Sequence, residues 1–147
     1  HLEEAIVAYK KVLEMNPRFP RAHIFLGKVY LLQGKPDLAL AEMLQETGGD
    51  DWRSFGLIIT YYALGRKKEA DSLLSKYLVS FQKDNMYQIA EMYAIRGEKD
   101  KAFEYLEKSY LVREARFTYL KGDPLLKNLA GDPRHKALLK KLNLPAD

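Results

Sequence analysis

The sequence predicts an all-α fold, a solenoid of helix hairpins, and three features lead there. Gly34, Gly65 and Gly97 each stand between two amphipathic stretches and are spaced 31 and 32 residues apart. Around each glycine the same order of side chains recurs. A tyrosine lies four residues before it (Tyr30, Tyr61, Tyr93), an alanine five after (Ala39, Ala70, Ala102), and a large apolar residue four beyond the alanine (Met43, Leu74, Leu106). Finally, 47% of the 147 residues are hydrophobic and none is cysteine, so apolar burial rather than disulfides must hold the chain together.

The repeated order has a mechanical meaning. The tyrosine is a large knob on a first helix, the glycine lets the chain turn tightly, and the alanine lets a second helix approach closely. One such hairpin cannot bury its own apolar faces, so neighbours must stack to complete a core.

These residues resemble the tetratricopeptide repeat (TPR) family. Its first-helix signature, W-x2-L-G-x2-Y, is matched by His23, Leu26, Gly27 and Tyr30, with only the tryptophan replaced. Asn16-Pro17 is similar to the proline that closes a TPR unit, and Ala5 and Tyr9 stand where a preceding second helix has its small and large residues. Ala5 to Ala39 spans 34 residues, the family period. The next two repeats depart from it, with shorter periods and with Ile58 and Ala90 in place of the signature glycine. The resemblance covers roughly residues 2–110 and implies a right-handed α-α superhelix.

The elements follow in order. A second helix of a truncated repeat occupies residues 2–15, within a segment 1–17. The first hairpin uses residues 20–33 and 36–46 of a repeat at 20–48, the second 51–64 and 67–81 of a repeat at 51–82, and the third 85–96 and 99–112 of a repeat at 84–112. Beyond Arg113 the pattern stops. Asp123-Pro124 and Asp132-Pro133 then pair a capping side chain with a first-turn proline, predicting short helices at 124–129 and 133–142. The second of these is read with Ala137, Leu138 and Leu142 inward and His135, Lys136, Lys140 and Lys141 outward. Residues 113–147 thus form a cap closing one domain, 1–147. The tail also resembles the closing segment of TPR arrays at the C-termini of some large bacterial signalling and transcription-regulatory proteins, through Asp123-Pro124-Leu125 and Asp132-Pro133-Arg134-His135. That resemblance implies a regulatory or sensor end of such a protein.

Charge narrows the function. Residues 1–110 carry 16 basic and 16 acidic side chains, whereas 111–147 carry eight and four, so the net charge of +4 arises entirely at the C-terminal end. That places a basic patch there but is too mild an excess to argue nucleic acid. Most tyrosines fall at repeat-core positions, away from the basic end, which also argues against stacking on single strands. No apolar run reaches the roughly 18–20 residues that span a bilayer, and no leader pattern opens the chain. Absence of cysteine fits a reducing compartment, so a soluble, cytoplasmic protein without membrane contact is expected. The sequence opens at His1 inside a helical pattern, the expectation for a fragment of a longer protein.

No catalytic, metal or cofactor site is predicted. His1, His23 and His135 lack zinc-type spacing, and His23 in the signature tryptophan slot reads as a packed imidazole. Asp50-Asp51 reads as a helix cap and Glu3-Glu4 as a solvated first turn, not as paired carboxylates for acid–base work. Gly48-Gly49 lacks the G-K-[ST] of a phosphate loop and is a connector.

What remains is a binding scaffold. In TPR arrays the first helices line a concave groove, and the resemblance implies contact positions at Arg21, Ile24, Phe25 and Lys28, then Trp52, Phe55, Ile59 and Tyr62, then Asp84, Tyr87, Gln88 and Glu91. The groove's middle is aromatic and its ends are charged, suiting a protein partner that offers a peptide or an amphipathic helix. A stripe at helical spacing is equally what a core produces. The Lys and Asn clamp that holds chaperone tails in this family is not evident, since Trp52, Phe55 and Ile59 stand where its polar residues belong. A second reading is self-association: a homodimer would cover the apolar flank of the helix at 2–15, which includes Ala5, Val12 and Leu13.

Overall fold

The structure, a computed structural model, describes residues 1–144; the last three residues of the expected cap, 145–147, lie outside the described residues. It is all-α, 77% helical, with no strand among the described residues. In order the helices are α1 Leu2–Met15, α2 Ala22–Leu32, α3 Pro36–Gln45, α4 Asp50–Ala63, α5 Lys67–Phe81, α6 Met86–Arg96 and α7 Lys99–Leu111. Two 3-10 helices, Ala115–Gly122 and Pro124–Leu129, precede α8 Pro133–Lys141. The chain divides into two compact units, His1–Ser80 and Phe81–Asp147.

The fourfold spacing of tyrosine and glycine is the spacing of a helix-ending motif. Gly34, Gly65 and Gly97 adopt left-handed backbone, with φ of 70°, 73° and 89°. The amide of the residue after each glycine donates to the tyrosine carbonyl: Lys35 to Tyr30, Arg66 to Tyr61 and Glu98 to Tyr93, all at 2.9 Å. Each glycine amide donates in turn to the carbonyl after the tyrosine, at Leu31, Tyr62 and Ala94. These paired bonds satisfy the carbonyls a helix end leaves orphaned and require a residue that tolerates positive φ.

In the first unit α2 packs on α1, α3 and α4, and α3 also packs on α4. Ile6, Leu26, Val29, Tyr30 and Ala39 form a buried cluster, with Ala5, Tyr9, Leu13 and Leu31 packed against it. Ala39 and Ala70 are fully buried, as are Met43 and, nearly so, Leu74, as their repeat positions require. Gly27 shows why the signature wants no side chain: a Cβ there would lie 2.6 Å from Met43 Cε and 3.3 Å from the Ala39 carbonyl oxygen. The closeness of α2 to α3 depends on it.

In the second unit α6 packs on α7 around the fully buried Ala102 and Leu106, and Tyr93 stacks on Tyr105 with ring centroids 5.7 Å apart. Both Asp-Pro caps form: Asp123 accepts from the Leu125 amide and Asp132 from the Arg134 amide, each at 2.9 Å. The segment at 124–129 is a 3-10 helix rather than α, burying Leu125, Leu126 and Leu129, and Asn128 Nδ2 donates to the Ala94 carbonyl at 2.7 Å. A 3-10 helix at Ala115–Gly122, not expected from the sequence, buries Phe117 and Leu120, whose spacing of three is that helix's own period. The face of α8 also differs from expectation. His135, Leu138 and Leu139 point inward while Ala137 is exposed, because positions i, i+3, i+4 from His135 share one face and the imidazole serves as its first member. Asp50 and Asp51 are not caps either: Gly49 holds the cap position, and the two carboxylates sit in the first turn of α4, where the helix dipole favours them.

Candidate functional site

The first unit gathers aromatic rings from three helices into one row. Tyr9 of α1 stacks on Phe25 of α2 at 5.8 Å between centroids and 19° between planes; Phe25 meets Trp52 of α4 at 6.3 Å, and Trp52 meets Phe55 edge-on at 6.3 Å and 89°. Two cations lie on these rings. The Arg21 guanidinium carbon is 5.1 Å from the Trp52 centroid and Lys28 Nζ is 5.7 Å from that of Phe55. Tyr9, Phe25, Lys28 and Trp52 are half-buried and Arg21 is exposed, so one side of the row faces solvent. Tyr62 is likewise half-buried, its hydroxyl donating to Asp71 Oδ1 of α5 at 2.6 Å.

Arg21 is held by a residue outside the repeat pattern. No side chain caps the N-terminus of α2 from its own cap position, and Arg21 there takes a left-handed backbone with φ 67°. The cap comes instead from Glu46, just past α3. Its buried carboxylate accepts the amides of Arg21 at 3.2 Å, Ile24 at 3.3 Å and Gly48 at 2.6 Å. The second unit repeats the device. Glu114 accepts the amides of Met86 and Tyr87 at the start of α6, both at 2.9 Å. For α2 the available signal was a helix start with Arg21 at the cap position, followed one hairpin later by a glutamate; for α6, which has Asn85 there, the sequence carries no such signal.

Not all expected contact positions are open. Ile24, Phe55 and Ile59 are wholly buried, and Tyr87, Gln88 and Glu91 are at most 2% exposed. Phe55 and Ile59 are apolar positions of α4, which packs directly on α2 and α3, so their transfer out of water drives that contact. Tyr87 and Glu91 lie under the chain segment that follows α7. The Tyr87 hydroxyl donates to Asp123 Oδ2 at 2.9 Å, its ring meets Phe117 edge-on at 6.4 Å, and Arg116 Nη2 stands 3.5 Å from Glu91 Oε2. Burial, reinforced by the Asp123 charge, raises the Tyr87 phenol far above its ordinary range. Arg21, Phe25, Lys28, Trp52 and Tyr62 are the expected site residues that retain solvent access; Asp84 is exposed as well.

His23 is packed, with Nδ1 2.7 Å from Glu42 Oε2 and Nε2 3.3 Å from the Pro17 carbonyl oxygen. It floors an open pocket lined by Lys10, Leu13, Glu14, Arg18 and Gln45. On α1, Ala5 and Leu13 pack against the cluster beneath them, which leaves Val12, half-buried, as what remains of the flank expected to be free.

A family model described as TPR repeat matches residues 1–34, and one described as Tetratricopeptide repeat matches 84–116. Residues 1–34 and 84–116 are thus TPR repeats. The first match spans α1, α2 and the turn at Gly34; the second spans α6 and α7 and ends within the first 3-10 helix. No curated protein and no solved structure matches the chain. TPR repeats generally mediate protein–protein interaction and are generally non-catalytic scaffolds. Among the described residues, no helix is long and apolar enough to cross a membrane.

Proposed function

We propose that this TPR chain binds a peptide or an amphipathic helix of a partner protein on the solvent-facing side of the Tyr9–Phe25–Trp52 row. The observation that carries this reading is the row itself, three half-buried rings from three helices with Arg21 on Trp52 and Lys28 on Phe55. Aromatic rings and arginine dominate binding energy at protein interfaces because they offer large contact area for few rotatable bonds. Rings already fixed by neighbours lose little further entropy when a partner arrives. Glu46 contributes by fixing the backbone at Arg21, so the guanidinium is presented from a rigid helix start.

Trp52 is the only tryptophan in the sequence, so its emission reports on the site directly. Peptides selected from a displayed random library against the whole chain should shift Trp52 fluorescence on titration. Their affinity, followed by calorimetry, should fall at least about tenfold in the Phe25→Ala/Tyr62→Ala variant. Selected peptides that bind without moving the emission, and bind that variant equally well, would show that the row is not the site.

A further inference from the structure

We propose that the segment from Glu114 to Asp123 is an internal ligand: it occupies, in cis, a surface of α6 that a short segment of a partner protein with the same anchors can occupy in trans. The partner segment it stands for carries a carboxylate, a cation two residues later and an aromatic ring next, as Glu114, Arg116 and Phe117 do.

Polar anchors and buried side chains together hold the segment on α6. Glu114 binds the α6 N-terminus through the two amides of Met86 and Tyr87, a carboxylate on unpaired donors at the positive end of a helix dipole. Arg116 reaches Glu91, a carboxylate with no exposed surface, whose position on α6 calls for a cation from whatever covers it. Phe117 enters between Tyr87 and Tyr110, 6.4 and 5.5 Å from their centroids, and Tyr87 closes the far end on Asp123.

The hairpin beneath does not need the segment for its own closure. α6 and α7 meet through Ala102, Leu106 and the Tyr93–Tyr105 stack, none of which belongs to the covering segment. The segment itself is a 3-10 helix with Ala115, Thr118, Tyr119, Lys121 and Gly122 exposed. Short 3-10 helices have poor hydrogen-bond geometry, so this one owes its place to its side-chain anchors rather than to its own backbone. Tethered a few residues beyond α7, it acts at an effective concentration of about millimolar, and a partner segment must overcome that competition.

The test uses the whole 147-residue chain and a fluorescein-labelled synthetic peptide with the sequence of residues 113–124. In the Arg116→Ala/Phe117→Ala variant the cis segment is weakened while α6 is intact. The peptide should then bind at least about tenfold more tightly than to the unaltered chain, because the fraction of open surface rises. A peptide with alanine in place of its own phenylalanine should not bind. Equal affinity for both chains, or no binding to a variant of native helicity, overturns the proposal. If that variant loses helicity, Glu114→Gln decides by amide hydrogen exchange. Faster exchange confined to Met86, Tyr87 and residues 114–123 supports a dockable segment; unchanged exchange, or lost protection throughout α6 and α7, overturns it. Failure of the unit-one aromatic row to bind peptides leaves each of these outcomes unaffected.

Discussion

Glu46 concentrates more backbone satisfaction in one side chain than any residue singled out by the repeat pattern. Three amides depend on its buried carboxylate, and a buried donor left without a partner costs about 1–3 kcal/mol. Glu46→Ala should therefore lower stability by at least that range, read as a shift in the urea midpoint, with the slope unchanged. It should also free Arg21 from its place over Trp52 and change Trp52 emission even without a partner. At the repeat positions sterics rule instead. Gly34→Ala forces a side chain into φ 70° and should cost about 1–2 kcal/mol, whereas Ala39→Leu, at a site with no exposure, should cost about 1–3 kcal/mol through overpacking. Double-mutant chemical denaturation would show these two adding incompletely, since Gly34 and Ala39 both serve the close packing of the α2–α3 hairpin.

At the scale of elements, the α8 cap carries a carboxyl whose ionisation is tied to the fold. The Arg134 side chain, and then its backbone amide, hold the Asp132 carboxyl down at about 2, below the ordinary 3.8. A group depressed in the folded state contributes above its unfolded value and loses that contribution as pH falls through the folded one. The start of α8 should thus loosen between about pH 4 and pH 2, visible as accelerated exchange at the Arg134 and His135 amides. Asp132→Asn should remove that pH dependence. Elements were also where reading from sequence was most uneven. Helices α1 to α7 begin and end within about two residues of expectation, because tyrosine, glycine and alanine spacing encodes a local hydrogen-bonding motif. The 3-10 helix at Ala115–Gly122 was not expected because its single buried pair, Phe117 and Leu120, is too short a pattern to mark a helix, and its polar anchors on α6 are 25 or more residues away.

At the scale of the whole molecule, the C-terminal basic excess is partly spent within the second unit. Arg134 pairs with Asp100 at 2.7 Å and lies over Phe103, Lys141 pairs with Glu107 at 2.8 Å and lies near Tyr110, and Arg116 stands by Glu91. The pairs made by Arg134 and Lys141 are exposed and screened and contribute little, so melting the chain in about 1 M rather than about 50 mM NaCl should move Tm by no more than about 3 °C. A larger drop would assign these pairs a real share of stability. The sequence by itself determined the hairpin count, the helix ends and the small-residue contacts, since a left-handed glycine, its satisfied carbonyls and a buried alanine are decided within some ten residues of chain. It also named Phe25, Trp52 and Phe55 of the aromatic row, but not Tyr9. Only tertiary structure decided which of them stay open. Phe55 and Ile59 go inward because α4 lies on α2 and α3, Tyr87 and Glu91 because a later segment covers them, and Glu46 matters because folding brings it to amides 22 and 25 residues earlier. Burial is set by what a neighbour covers, and no spacing within a helix records that.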